Sequence, residues 1–598
     1  MSDRLTDLGR IIGSLQSRAM TRRQMLKSSA VVGMGAALLA ACETDDDVDD
    51  AVEEPDDDPD PVDEPDDDEE EPEVDDDPDD DVVDDEDDDE PVDEPDDDEP
   101  DDDEVDDDDR YGGQIEVALI GEPPSMDHTQ TSATVTTLVV THIYEYLFTW
   151  DEEFEAIPEL IDTWEIEDDG LLNVVHLREG VMFHNGDELT AEDVYASIDR
   201  WANEVEVGFG TELMGATEEM RIVDDYTLEF EMTEPFGTFP VVLGRQNNGC
   251  AIYPAEVAEA AGANAIEDYI GTGPYQFVEW ESDQHILVER FDDYASRDEE
   301  PNGYGGGKTA YADTVRFVPV PDEAARVAGL QAGDYDYLED ISADNFETIE
   351  GVEGVVAEIG PPTGNDQIVF NMVEGISTDI NFRRAVQAAI NHEEILLAAY
   401  GEDNYRLGPG HSPEETIWYN DAGADLYDMR DPDLAEEYLE DSEYDGEVVR
   451  LLCTQEYSDN YNTAVILQQQ LSDVGINVEL EVFDWATMLE TRDDLEAWDM
   501  VITGFTFRVD PTQLPFMRCE WGGHWCSDEK VELVNRLFSE VELEDRLDVW
   551  EELQQLIYDE VPMIKTGEGL NLLAYSERLQ NLENVMLAPA FWNTWLDD

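Results

Sequence analysis

Residues 448–504 read VVRLLCTQEYSDNYNTAVILQQQLSDVGINVELEVFDWATMLETRDDLEAWDMVITG. The stretch opens on a short apolar run, Val448 to Leu452, of strand type. From Tyr461 to Val474, Ala464, Leu467, Gln468 and Leu471 recur at helical spacing, and Gly475 ends the pattern. Ile476, Val478, Leu480 and Val482 then alternate at period two, which predicts a strand running to Phe483. A second helix from Trp485 to about Arg492 and a strand over residues 499–504 complete the unit. Strands that alternate with helices imply parallel α/β units. In open sheets of that kind, ligands sit outside the carboxyl ends of the strands. Two loops occupy that position, residues 453–455 and 505–511.

The second loop, Phe505-Thr506-Phe507-Arg508-Val509-Asp510-Pro511, carries two rings, one cation and one carboxylate within a few residues. Binding pockets combine apolar walls with a few orienting polar groups. Phe505, Thr506, Phe507, Arg508 and Asp510 are therefore candidate ligand residues. Two readings of Arg508 stay open: a bidentate grip on a ligand carboxylate or phosphate, or a local pair with Asp510 or a nearby acid that only stiffens the loop. Asp510-Pro511 also suits a turn.

Upstream, the sequence around Ile115, Val117 and Leu119 alternates as a strand, and GEPPSMD (121–127) follows as a turn. Residues 137–148 read as a helix, 150–158 as a connection and 174–177 as a strand. Thr190 and Asp193 fit a capping box for a helix through Trp201. Four motifs carry a resemblance: EPPSMD (122–127), WEIEDDGLLNVVHLREGVMFHNGDELTAEDV (164–194), GTGPYQF (271–277) and NFRRAVQAAINHEEIL (381–396). They resemble, in the same order, the solute-binding family 5 proteins, the oligopeptide, dipeptide and nickel receptors of ABC importers. The resemblance runs from about Tyr111 to the C-terminus. It implies an α/β, two-lobed periplasmic-binding-protein-like fold of type II, cluster C. Lobe I would span 110–362 with a subdomain at about 159–270, lobe II 363–561, and a return segment 562–598. Crossings near Pro362 and Val561 would form the hinge, and hinge closure around a ligand would be the working motion.

In the peptide-binding members, the loop after the last strand of this unit reads Gly-Trp, two residues, then an Asp that pairs with the peptide amine. Here Gly504-Phe505-Thr506-Phe507 leads to Arg508. The resemblance thus implies an anionic, zwitterionic or neutral polar solute in place of an ordinary free-amine peptide. DWATMLETR (484–492) matches a family stretch that lines the cleft, which makes Trp485 and Arg492 candidate pocket residues. Core packing at a helix start is the other reading of Trp485.

The N-terminal residues have a different composition. Residues 21–42, TRRQMLKSSAVVGMGAALLAAC, join a basic head to an apolar run of about 12 residues, well short of the ~20 that span a bilayer. Basic head, short apolar core and small residues mark a secretory signal, and Arg22-Arg23 points to the twin-arginine route. Leu39-Ala40-Ala41-Cys42 resembles a lipobox, with Cys42 as the lipid attachment site. Residues 1–42 are thus expected to be the leader. Residues 43–109 hold 48 acidic residues, nine Pro and no Lys or Arg. They have too little apolar content to fold alone and read as a tether.

The remaining core has 106 acidic and 23 basic residues, a net charge of −83. The whole chain has four Lys. Such self-repulsion opposes compaction in dilute buffer, whereas molar salt cuts the Debye length to ~3 Å. The composition is that of a protein adapted to high salt, and it argues against nucleic acid as a partner.

Cys519 and Cys526 flank Glu-Trp-Gly-Gly-His-Trp. A small disulfide loop and a Cys-His-Cys metal site with His524 both stay open, the latter lacking a fourth ligand. Cys250 and Cys453 can be free buried thiols. No HExxH, G-x-S-x-G, P-loop or G-x-G-x-x-G occurs. The expectation is a monomeric, lipid-anchored receptor on the outer face of the cytoplasmic membrane, without metal, cofactor or catalytic residues, that hands a solute to an ABC permease. A receptor that docks on a chemotaxis transducer and an exported hydrolase are the alternatives.

Overall fold

The computed structural model describes residues 110–582, 586 and 588–597. The leader, Cys42 and the acidic tether lie outside the described residues. The 448–504 unit folds as strands Val449–Thr454, Val478–Phe483 and Met500–Thr506, with helices Ser458–Asp473 and Trp485–Arg492 between them. Val449–Thr454 lies parallel to both other strands. Side-chain alternation sorts their residues into two cores. Leu451, Cys453, Met500 and Ile502 pack in one, while Leu452, Val501 and Phe505 pack in the other. Full burial of each such Leu, Ile or Val contributes about 1.5–3 kcal/mol.

The first helix starts three residues before the Tyr461 read from sequence. Ser458, Asp459 and Asn460 look like loop residues, yet a first helical turn leaves backbone N–H groups free. Asn460 uses the position differently. Its Oδ1 accepts the Thr454 N–H at 3.0 Å and its Nδ2 donates to the Ile502 carbonyl at 3.0 Å, which ties the helix start to two strand ends.

Among the described residues, 12 strands form one sheet. Gln114–Leu119, parallel to Thr314–Pro319, lies in its first-lobe half, and the 448–504 strands form the other end. The link is the 16-residue strand Val355–Phe370. Its second half pairs with Met500–Thr506 and its first half with Glu568–Ser576. The latter register shifts on both sides of Pro362. Proline has no N–H to give the ladder, and such irregularities bend a strand. Met563–Lys565 pairs with Gln367–Val369. Residues 563–565 thus still pair with the second half of the long strand, and Val561 ends the helix Leu543–Glu560 with φ 48°.

A second, antiparallel sheet orders Ile161–Glu167, Leu172–Leu177, Thr227–Met232 and Thr217–Asp224 over its own core. The capping box forms as read, with Thr190 and Asp193 starting the helix Ala191–Asp199. The helix expected over 137–148 is shorter, Thr134–Val140. Phe148–Trp150 is instead a strand paired with Ala156–Pro158. Residues 136–150 are all buried, so their apolar character carried no face and hence no period.

The turn after the first strand holds its lobe together. Asp127 is fully buried and accepts from Arg200 (2.5 Å), the Tyr253 hydroxyl (3.2 Å) and the Ile266 N–H (3.1 Å).

A cleft between two lobes as the candidate functional site

The loop that leaves Met500–Thr506 reaches across to the first lobe. Phe507 is buried edge-on against Phe154, with ring centroids 4.9 Å apart. Phe507 and Val509 join Trp150, Phe154, Val241, Tyr304 and Trp592 in one cluster. Two backbone hydrogen bonds span the same gap. Ile417 N–H donates to the Glu153 carbonyl at 2.9 Å, and Gly237 N–H donates to the Phe538 carbonyl at 2.8 Å. A Cβ on Gly237 would lie 1.7 Å from the Glu540 carbonyl oxygen, so glycine is required for this approach. The space left between loop, hinge strand and residues 411–413 is only about 10 Å³, room for about one water. The lobes are shut.

Arg508 lines that space together with Asn365, His411, Ser412 and Glu568. Its Nη1 donates to the Thr506 hydroxyl at 2.7 Å and to the Phe507 carbonyl at 3.0 Å. Burial pushes its pKa down. Asp510 is not its partner. That carboxylate is fully buried, pairs with Arg546 at 2.9 Å and accepts the Thr512 N–H at 2.8 Å. The sequence-based assignment of Asp510 as a ligand residue is therefore corrected: it braces the loop from below. Phe505 is also turned inward, with its ring 5.2 Å from Trp521 and 6.0 Å from Phe516. Thr506 is exposed beside Arg508.

Trp485 starts its helix half-buried, edge-on to Tyr457 at 5.3 Å, and Tyr457 is 51% exposed. This aromatic pair stands at the carboxyl ends of the second-lobe strands. Arg492 ends the same helix with its guanidinium 5.7 Å from the Trp521 ring. Its Nε is buried without a hydrogen-bond partner. Trp521 sits in a loop closed by the Cys519–Cys526 disulfide, whose Cα atoms are 4.9 Å apart. Both sulfurs are thus engaged with each other, which removes the Cys-His-Cys reading. Cys250 and Cys453 are free and buried. Among the described residues, no cluster of three or more His, Cys, Asp or Glu side chains is arranged to hold a metal.

Sequence reasoning did not single out Arg245 in the first lobe. Arg245, just beyond the helix Phe239–Leu243, lies with its guanidinium 3.9 Å from the Phe209 ring and donates Nε–H to the Asn247 carbonyl at 2.6 Å. Burial, together with the charge on Arg508, brings its pKa down to about 10. The absence of a nearby acid in so acidic a chain was a usable signal, but only once the fold had placed the neighbours. Below the aromatic cluster, Lys308 donates to Glu159 at 2.7 Å and lies 3.6 Å from Glu145. Burial pushes Glu159 up to about 8, against the pull of Lys308 and with the push of Glu145. His411 is held neutral, its pKa lowered to about 3 by burial and the nearby Lys565 charge.

Two lobes joined by crossing strands, with the cleft lined by loops at strand ends, define a ligand-binding protein of the periplasmic-binding type. The sequence matches the family "Bacterial extracellular solute-binding proteins, family 5 Middle" over residues 155–520, and the chain belongs to that family. It is 26% identical over 499 residues to a probable peptide ABC transporter periplasmic-binding protein of Sinorhizobium fredii, covering 78% of this chain and 90% of that one. It is 25% identical over 426 residues to the oligopeptide-binding protein AppA of Bacillus subtilis, covering 67% and 75%. The fold is similar to that of HbpA2 from Haemophilus parasuis, with TM-score 0.71, 19% identity, and 81% and 100% coverage.

Proposed function

We propose that this protein is the extracellular receptor of an ABC importer, capturing a peptide-like or other small organic solute by closure of two lobes and delivering it to a permease. The observation that carries this reading is the contact of Phe507 with Phe154 across the two lobes, with Arg508 beside it lining a small cavity at the hinge. The likeness to peptide-importer binding proteins supports it. Capture and release need no covalent chemistry. The hinge is assigned to the irregular pairing around Pro362 and the return strand Glu568–Ser576, dividing lobes near residues 362 and 566. Closure draws its energy from tighter ligand binding in the closed state than in the open one.

Arg508 is assigned to an anionic or neutral polar part of the solute, and Trp485, Tyr457 and Arg492 to the second-lobe wall. In this reading the chain leaves the cell by the twin-arginine route, is anchored through Cys42 and works as a monomer at high salt. Residues 43–109 then act as a spacer of about 50 Å as a coil.

A thermal-shift screen of the full chain in molar potassium chloride tests the reading against peptides, amino-acid derivatives, sugars and metal chelates. A solute at 100 times its Kd adds about 2.7 kcal/mol. A hit that weakens in Arg508→Ala supports both receptor and site. No stabilisation by any solute contradicts solute capture.

A further inference from the structure

We infer that Arg245 and Arg508 are the two jaws of an oxyanion clamp, one carried by each lobe, and that the solute presents a carboxylate or phosphate between them. The inference deepens the receptor reading and rests on it. Val241 at one end and Phe507 and Val509 at the other pack in a single interlobe cluster, and each arginine follows or interrupts those residues. Among the described residues, neither guanidinium has a carboxylate within ion-pair distance. Arg245 spends Nε on a backbone carbonyl and its face on Phe209. Arg508 spends Nη1 on Thr506 and Phe507.

In the same structure, scaffold arginines such as Arg200, Arg406 and Arg546 all have acids. Arg383 also bonds only to carbonyls, so what sets Arg245 and Arg508 apart is that both lie next to residues of the one interlobe cluster, from opposite lobes. Partial burial strengthens their mutual repulsion, because less water screens it. Closing the cleft brings like charges together, and an anion between them reverses the sign. The guanidinium fork suits the two oxygens of a carboxylate or phosphate. The solute's anionic group would therefore be what makes closure favourable.

The test uses the full chain at one fixed chloride concentration, with N-acetyl-dialanine, its C-terminal amide and inorganic phosphate as probes, read by thermal shift. The expected result is stabilisation by the acid or by phosphate and none by the amide. Arg245→Gln and Arg508→Gln should each weaken anion binding ten-fold or more, and the double variant should add less than the sum. Arg245→Lys, which keeps the charge, should retain part of the shift and guards against misfolding of the glutamine variant. Equal stabilisation by acid and amide would overturn the clamp. So would anion binding unchanged in Arg245→Gln, or no response to either anion. A neutral solute that stabilises the parent chain and both variants alike would remove the clamp and leave solute capture standing.

Discussion

Arg508 is two residues from Asp510 and Arg546 is 36 away, yet it is Arg546 that pairs with the carboxylate. Arg546 is buried against Asp510, which is itself fully buried. Arg508, two residues from Asp510, has only a hydroxyl and a carbonyl. The first lobe repeats the contrast, with Arg200 closed on Asp127 and Arg245 left to a ring and a carbonyl. Each lobe thus has one arginine closed on a buried acid and another without a carboxylate partner. Removing one member of a buried pair strands a charge, whereas a cleft cation is satisfied by what enters.

The strongest way to break this contrast is at the braces. Asp127→Ala should cost about 3–5 kcal/mol, since it leaves Arg200 buried without its partner. Urea unfolding checks it, and a loss under 1 kcal/mol would make the pair dispensable.

Closure itself is addressed by Gly237→Ala. The added methyl meets the Glu540 carbonyl, so the closed state should be disfavoured and solute affinity should fall about ten-fold or more, about 1.4 kcal/mol. Unfolding should change far less than binding, because the clash exists only between lobes. Calorimetric titration against urea melts separates the two.

Asp366 supplies a pH handle at the hinge strand. Burial, with the nearby Asp459 charge, raises its carboxyl from the ordinary range to about 8. The folded chain then holds a proton that the unfolded chain has released. This contribution to stability is present below pH ~4 and is lost as pH rises from there through about 8. Asp366→Asn should flatten the pH dependence in that window relative to the parent chain, as read from paired melts. An unchanged slope would place Asp366 in a more solvated setting.

The smallest effect is expected at the surface pair Arg536–Glu552, whose partners are 40% and 55% exposed. Arg536→Ala should alter stability by at most about 1 kcal/mol, measured by the same urea melts.

The strand–helix alternation of residues 448–504 was legible because each element buries one face and so shows its period. Residues 136–150, buried on all sides, showed none, and their strand was missed. Arg508 could be singled out because its loop is contiguous. Its partnership could not, since Arg546 lies 36 residues away and chooses Asp510 through packing. Arg245 was invisible for the same reason: Phe209 lies 36 residues away and meets it only through tertiary structure.

The most direct measurement is the distance between spin labels at Glu152 and Glu414, exposed positions near the Glu153–Ile417 hydrogen bond. The solute with the largest thermal shift should move the distribution to one short, narrow distance, and Arg508→Ala should oppose that change. A distribution identical with and without a bound solute would contradict capture by closure.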